Sequence, residues 1–473
     1  MDELSQQRKS AAGSPRAVRR NHGLGTERPG KLLRRFAIPT IISMVVNSLY
    51  NVVDQVMIGW KVGILGNAAT NVAFPLSTIC LAISLLIGVG AAARFSLELG
   101  KQNRDNAEKC VGDAVWMCAI FGVLFALFVI ILKTPIVYAF GATQEIYPYA
   151  ISYVSITAFG MPAMIFVTVM SNLIRADGSP RWSMVVMAVG AVVNIGLDAL
   201  FMFGFGMGME GAAIATVLSQ FLSAALAASY LPRFRSIRLQ RSSFHPEIRR
   251  CLRMCGYGAG NSLNQCCLSV VQVLFNNALG IYGAASIYGA DISIAAMGVV
   301  MKVNGIVVAV MVGLATGAQP ILGYNRGAGL HDRVRKTYWI TVGTGMILGA
   351  AAVFVFEVFP EYLISMFGSG NALYMEFAVF FMRTFLVLTP FAGVYLITMN
   401  FFTAIGKPLK GMLISLTRQV GLYVPMIFLL PFLFGVKGVA FVGPVSDTGV
   451  AIVSFILVTR ELSKSKAAVY DHS

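Results

Sequence analysis

Long apolar segments separated by short polar interruptions run along most of the chain, from about residue 33 to residue 459. Each contains about 20 residues or more, the length that an α-helix needs to cross the roughly 30 Å hydrocarbon core of a bilayer. We therefore expect an all-α polytopic membrane protein. The pattern predicts twelve transmembrane helices, over residues 33–57, 68–98, 111–132, 149–174, 182–205, 211–231, 252–281, 292–323, 337–358, 374–402, 411–433 and 438–459.

The second half of the chain repeats the first half. The segment LIRADGSPRWSM aligns with FFTAIGKPLKGM, so that Gly178 falls on Gly406 and Pro180 on Pro408. Two pseudo-symmetric lobes of six helices follow, and transporters built from such parallel repeats bind substrate between the lobes. Channels and membrane enzymes can also arise by duplication, so the repeat favours a transporter without establishing one.

Basic residues lie on one side of the predicted spans. The net charge is +16, yet the loops of the other side hold only Lys61, Lys133 and Lys437 of the 37 Lys and Arg. By the positive-inside rule, both termini are expected in the cytoplasm of a plasma (inner) membrane protein, and the charge does not indicate a nucleic-acid partner. The predicted organisation is a disordered basic cytoplasmic tail (1–30), an N-lobe (31–231), a basic cytoplasmic linker (232–250), a C-lobe (251–460) and a cytoplasmic C-terminal tail (461–473).

Acidic residues inside the predicted spans are few, and an ionised Asp at the bilayer centre costs roughly 2.5–3.5 kcal/mol on insertion scales. Asp54 belongs to a polar stripe on the first helix, while Asn194 and Asp198 share one face of the fifth. Thr216 adds a hydroxyl on the sixth helix. These groups can bind one small cation, Na⁺ or H⁺; the alternative is that both acids only form hydrogen bonds between helices.

The second lobe does not repeat this chemistry, because Gln272 falls near the position of Asp54. Instead, Arg418 is expected to reach Asp447 on the adjoining helix in a structural ion pair. No enzyme motif of the serine-hydrolase, zinc-protease or P-loop type occurs, so we expect neither an enzyme nor a cofactor, and no metal beyond Na⁺ at the candidate site. The seven cysteines lie in or beside apolar segments, so no disulfide is expected.

Five motifs in this order resemble those of the multidrug and toxic compound extrusion (MATE) family, most of all its DinF/MepA-type branch. They are the Pro39-to-Asp54 stretch, RADGSPRWSM at 175–184, NIGLD at 194–198, GAQPILGYNRGAG at 317–329 and TAIGKP at 403–408. The resemblance covers about residues 31–462. It implies a V-shaped pair of six-helix lobes, working as a monomer among membrane lipids, that exchanges H⁺ or Na⁺ for small organic cations.

The resemblance also implies roles for particular residues. The cation site of this branch matches Asp54, Asn194, Asp198 and Thr216, and the first helix is expected to bend near Pro39. The residues expected to line the substrate cavity are Asn47, Tyr50, Asn172, Gln272 and Lys302.

Two other functions remain open at the level of the sequence. A lipid-linked saccharide flippase of the wider superfamily would need several basic cavity residues for pyrophosphate, and only Lys302, Arg383 and Arg418 lie within apolar segments. A non-transporting receptor or scaffold would use the basic linker as its contact surface.

Overall fold

The computed structural model of the protein describes residues 23–366 and 372–470, which form long helices and no strand. Eleven helices are long and apolar enough to cross a membrane, and a bent pair supplies the twelfth span. The prediction of an all-α polytopic protein with twelve spans is therefore confirmed. The helices are α1 (Pro29–Lys61), α2 (Ile64–Gly100), α3 (Arg104–Ala139), α4 (Tyr147–Ala176), α5 (Pro180–Gly204), α6 (Gly208–Ala228), α7 (Ile248–Ala284), α8 (Gly289–Gly327), α9 (His331–Val358), α10 (Ala372–Leu386 and Thr389–Ala404, bent by 45°), α11 (Pro408–Phe434) and α12 (Val436–Tyr470).

Parts of the predicted tails belong to the folded protein. Residues 461–470 continue α12, and the buried Glu461 accepts hydrogen bonds from Lys407 and Lys410, so a salt bridge holds this segment to the start of α11. At the other end, residues 1–22 of the predicted disordered tail lie outside the described residues. The turn before α1 packs on the C-lobe, where Arg333 donates to the carbonyls of Leu24 and Glu27.

The predicted linker between the lobes is attached to the N-lobe. Asp177, in the turn between α4 and α5, is buried and accepts hydrogen bonds from the backbone N–H groups of Arg235 and Ser236 and from the Tyr230 hydroxyl, at 2.7–2.9 Å. Burial raises the pKa of the Asp177 carboxyl above its ordinary value, and the hydrogen bonds oppose that shift. The linker is thus a structural part of the N-lobe surface.

The lobes meet where α1 packs on α8 and α2 packs on α7 and α8. Their closest approaches lie at one end of the molecule, which we call the basic end: the end that holds the start of α1, the 229–247 linker and the turn between α4 and α5. Gly258 contacts the carbonyl of Leu86, and Gly317 contacts the backbone of Ala37. Small residues permit such close backbone approach in membranes. The interface between the lobes is therefore closed at the basic end.

This packing predicts that Gly258→Ala destabilises the protein. The added Cβ would lie 1.9 Å from the Leu86 carbonyl oxygen, so the helix backbones must move apart, at a cost of roughly 1–3 kcal/mol. Gly256→Ala is the matched control, because a Cβ there meets nothing within 4 Å. Thermal unfolding of the detergent-purified variants measures the difference. Equal midpoints for the two variants would contradict the close packing.

Candidate cation site in the N-lobe

The polar stripe of α1 faces the interior of the N-lobe. Leu32 and Phe36 belong to the apolar cluster that contains the N-lobe residues, whereas Leu33 and Ala37 pack in a cluster with C-lobe helices. At about 100° per residue, Asn47 and Asp54 lie on the same side of α1 as Leu32 and Phe36. Asp54 is therefore directed towards α5 and α6, both of which contact α1.

Helix α5 supplies the second acid of the site. Asn194 and Asp198 are one turn apart, and both are buried, with 2% and 0% of their surface exposed. The Asp198 carboxyl lies close enough to that of Asp54 for two negative charges there to repel each other. The Asn194 Nδ2 atom lies 3.4 Å from the Thr216 Oγ1 atom on α6 and donates to it. The structure thus brings the four predicted residues together from three helices.

A π-helical segment, Ala199–Gly204, begins directly after Asp198. Such segments widen a helix by one residue per turn and often occur at functional sites, because they change the direction of the side chains that follow. Here the widening lies in the helix that carries two of the four site residues.

Four buried oxygens at this site have no hydrogen-bond donor among the described residues: Asp54 Oδ1, Asn194 Oδ1 and both Asp198 carboxyl oxygens. Neither acid forms an ion pair with a described basic side chain. A buried acceptor without a donor costs about 1–3 kcal/mol, and more if it is charged. A shared proton, or a small cation with oxygen ligands, satisfies this arrangement.

Tyr153 on α4 is a neighbour of the site that the sequence did not reveal. Its hydroxyl lies beside Thr216, and negative charge on Asp54 or Asp198 acts on that hydroxyl electrostatically. The predicted cavity residue Tyr50 likewise lies near both acids. In the sequence, Tyr153 lies in an apolar helix and is not spaced three or four residues from another candidate site residue. A tyrosine at such a position is as compatible with the hydrophobic core as with a binding site. Only the packing of α4 against α6 identifies it.

The other predicted cavity residues are dispersed. Asn172 is buried towards the basic end, where it donates to the Thr168 carbonyl at 2.8 Å and accepts from Arg175 at 2.7 Å. Its amide is therefore engaged within α4 in this conformation. Gln272 is exposed on α7 and donates to Asn276 at 3.4 Å.

Two further predicted residues lie on the long helices α8 and α1, which pack on each other. Lys302 is exposed on α8. Pro39, the predicted hinge, is buried in α1, which continues as one helix from Pro29 to Lys61. In this conformation α1 is therefore helical on both sides of the proline.

The buried acid of the C-lobe, Asp447, forms an ion pair. Arg418 donates to Asp447 at 2.8 Å and to the Tyr423 hydroxyl at 2.8 Å. Its guanidinium carbon lies 4.2 and 4.5 Å from the ring centroids of Tyr395 and Tyr423. Both charged residues are more than nine-tenths buried. Asp447 thus has a built-in cationic partner, which Asp54 and Asp198 lack.

The contrast predicts opposite responses to the same substitution. Asp198→Asn replaces one of two facing acceptors by an amide that can donate, so we expect stability to be kept or raised. Asp447→Asn leaves Arg418 buried without a counter-charge, which costs about 3–5 kcal/mol. Thermal unfolding at neutral pH in choline buffer compares the two variants. If Asp198→Asn destabilised the protein as much as Asp447→Asn, Asp198 would have a structural role in the fold.

Comparison with known proteins agrees with this architecture. The model of the MatE family matches residues 39–200 and 262–429. The chain is 23% identical over 454 residues to the FAD transporter of Shewanella oneidensis, covering 95% of this chain and 99% of that protein. It is 23% identical over 431 residues to the multidrug export protein MepA of Staphylococcus saprophyticus, covering 90% and 93%.

Solved structures have the same fold. A crystal structure of MATE in complex with MaL6 superposes with a TM-score of 0.89 at 21% identity, covering 94% of this chain and 99% of that one. The outward-facing conformation of a multidrug resistance MATE family transporter gives a TM-score of 0.88 at 22% identity, covering 94% and 98%. Because the family model matches most of both lobes, the chain belongs to the MATE family, as a membrane transporter of MepA-like type and not an enzyme.

Proposed function

We propose that this transporter is a cation-coupled antiporter that exports amphipathic organic cations, with Asp54, Asn194, Asp198 and Thr216 binding the coupling ion. One observation carries the proposal: two carboxyl groups meet inside the N-lobe, and no described basic side chain pairs with them. Without a bound proton or cation, the two carboxylates would remain side by side as negative charges inside the membrane, where an unpaired charge is unfavourable. The multidrug export activity in the name of the MepA relative supports organic substrates.

Helix α1 connects this site to the interface of the lobes. It carries Asp54 in its outer half and, in its inner half, Ala37 and Ile41, which lie against Gly317 and Gly313 of α8. A cation that joins Asp54 to α5 pulls α1 towards the N-lobe, and bending near Pro39 transmits this shift to the contacts with α8. The ion can thereby bias the opening of the closed end.

The present conformation corresponds to an outward-facing state in this scheme. The lobes are closed at the basic end, and the positive-inside rule places that end, with both termini, in the cytoplasm. Asn47 and Tyr50 lie on the polar side of α1 and form the N-lobe wall of the substrate path, with Gln272 and Lys302 contributed by the C-lobe. One chain contains both lobes, so a monomer suffices for transport.

The flippase alternative is less compatible with the placement of basic residues. Recognition of a pyrophosphate needs accessible cationic side chains. Arg418 is buried against Asp447, and Arg383 lies 3.5 Å from Glu357 and donates to its carbonyl. Both charges therefore already have counter-charges. The scaffold alternative rests on the basic linker alone, and Asp177 of the N-lobe already holds the backbone of that linker.

Asp54→Asn and Asp198→Asn are expected to abolish dye export, because each removes a charge that the coupling ion needs. The assay is efflux of an ethidium-like dye by purified protein in liposomes, with an imposed pH or Na⁺ gradient. Glu145→Gln, which changes an exposed acid in the loop after α3, is the matched control and should export normally. Full export by both site variants would refute the assignment of these residues.

The coupling ion itself is measured by imposing the H⁺ and Na⁺ gradients separately. We expect one gradient alone to drive export, and dye movement that responds to neither would contradict cation coupling. If Na⁺ is the ion, adding it at constant ionic strength at ten times its Kd should stabilise wild type by about 1.4 kcal/mol. That gain should vanish in Asp54→Asn. If H⁺ is the ion, Na⁺ should leave the unfolding midpoint unchanged.

A further inference from the structure

A cleft of about 440 Å³ opens at the basic end, away from the cation site. Its walls come from three parts of the chain: Arg35 of α1, Arg181 and Trp182 at the start of α5, and Arg235 of the linker. The volume lies within the range of about 300–1,000 Å³ that small-molecule sites occupy. Nothing in the transport mechanism above uses these residues.

The cleft is strongly cationic. Arg181 and Arg235 are exposed, and their guanidinium groups form no ion pair with the described acids. Arg35 makes a 3.4 Å contact with the partly exposed Glu27. The nearby Asp177 is buried and engaged by Tyr230 and the linker backbone. Helix α5 begins at Pro180 in the cleft wall, and its N-terminal dipole adds to the positive potential.

Apolar stripes run from the cleft along the surface of the adjoining helices. On α1, Ile38 and Ile42 are exposed on the face that carries Arg35, whereas Leu33 and Ala37 face the C-lobe and Phe36 faces the N-lobe. This exposed third face of α1 is therefore the one that hydrocarbon covers.

The same arrangement occurs on α5. Val185 and Val192 are exposed, four and eleven residues after Arg181, which places all three within about 40° around the helix. Asn194 and Asp198 point to the opposite, buried side. Because α1 contacts α5, two apolar stripes lead side by side from the arginines towards the middle of the membrane.

Trp182 adds a second sign of a membrane-interface ligand. Its indole Nε1 atom is buried and has no acceptor among the described residues. Tryptophans concentrate at the headgroup level of bilayers, where the ring is apolar and the N–H needs a polar partner. The Trp182 ring, which lines the cleft, therefore suits a site at the level of the headgroups.

We propose that this cleft binds the headgroup of an anionic phospholipid from the leaflet at the basic end, with its acyl chains along the Ile38–Ile42 and Val185–Val192 stripes. Guanidinium groups bind phosphate oxygens in pairs of parallel hydrogen bonds, and basic pockets between transmembrane helices suit acidic headgroups. A soluble anion would use the arginines but leave the apolar stripes unused. The bound lipid joins α1, α5 and the linker.

Native mass spectrometry of the full-length protein in a neutral detergent tests the proposal, with dioctanoylphosphatidylglycerol and dioctanoylphosphatidylcholine as probes. We expect wild type to bind the anionic lipid at least about tenfold more tightly than the zwitterionic one. This comparison needs no variant, so it stands whether or not any variant folds. Equal affinity for the two lipids would overturn the proposal.

Variants locate the site. Arg35→Gln combined with Arg181→Gln should weaken phosphatidylglycerol binding about tenfold. Arg34→Gln is the matched control, because Arg34 is exposed on the same turn of α1 but does not line the cleft, and it should change binding less than twofold. An equal loss of phosphatidylglycerol affinity in Arg34→Gln would mean that the general positive charge of this surface attracts the lipid, and would overturn the proposal.

Competition with inorganic phosphate distinguishes a lipid site from a site for a soluble anion. At 10 mM, phosphate should leave phosphatidylglycerol binding within about twofold, because it cannot replace the contacts of the acyl chains. Complete displacement by phosphate would make the cleft a soluble-phosphate site, and the lipid assignment would then be wrong.

Discussion

A membrane interior offers a buried acid no water, so each acid inside the bundle must find its partner in the protein or in a transported ion. This constraint divides the two lobes. In the C-lobe, Asp447 has Arg418 at 2.8 Å, and two tyrosine rings enclose the guanidinium. In the N-lobe, Asp54 and Asp198 lie near each other, and no described basic side chain pairs with either acid. A permanent positive charge neutralises the acid of the C-lobe, and we propose that an exchangeable cation does so in the N-lobe.

The duplication explains why this asymmetry is compatible with a single fold. Each lobe carries a π-helical segment in its fifth helix, at Ala199–Gly204 in α5 and Thr417–Tyr423 in α11. In both lobes the segment adjoins the buried charges: it follows Asp198 in one and contains Arg418 in the other. The two lobes therefore share the π-helical segment, whereas the charged side chains beside it differ.

Sequence reasoning succeeded where a single helix carried the signal. The apolar lengths predicted the twelve spans, and spacings of three and four placed Asp54 in a polar stripe and Asn194 beside Asp198. It could not reveal Tyr153, because that neighbour of the site depends on which helices meet. The assignment of Asn172 to the cavity stays a prediction, with its amide accepting from Arg175 in this conformation. Helix ends were also too short, because hydropathy marks the hydrocarbon core, whereas salt bridges such as Glu461 with Lys407 extend helices into the polar region.

Helix α1 joins these features because its faces have different neighbours. One face holds Asp54 against the N-lobe helices, a second packs Ala37 and Ile41 on the glycines of α8, and a third carries Arg35 above apolar residues exposed to lipid. Because closely packed helix segments move as units, a shift of α1 on one face changes its contacts on the other faces. In the proposed mechanism, neutralising Asp54 therefore changes the forces between α1 and α8. A lipid that holds Arg35 to α5 acts on the same movement of α1. The proposed coupling of ion binding, lobe closure and lipid binding rests on this one helix and its three sets of neighbours.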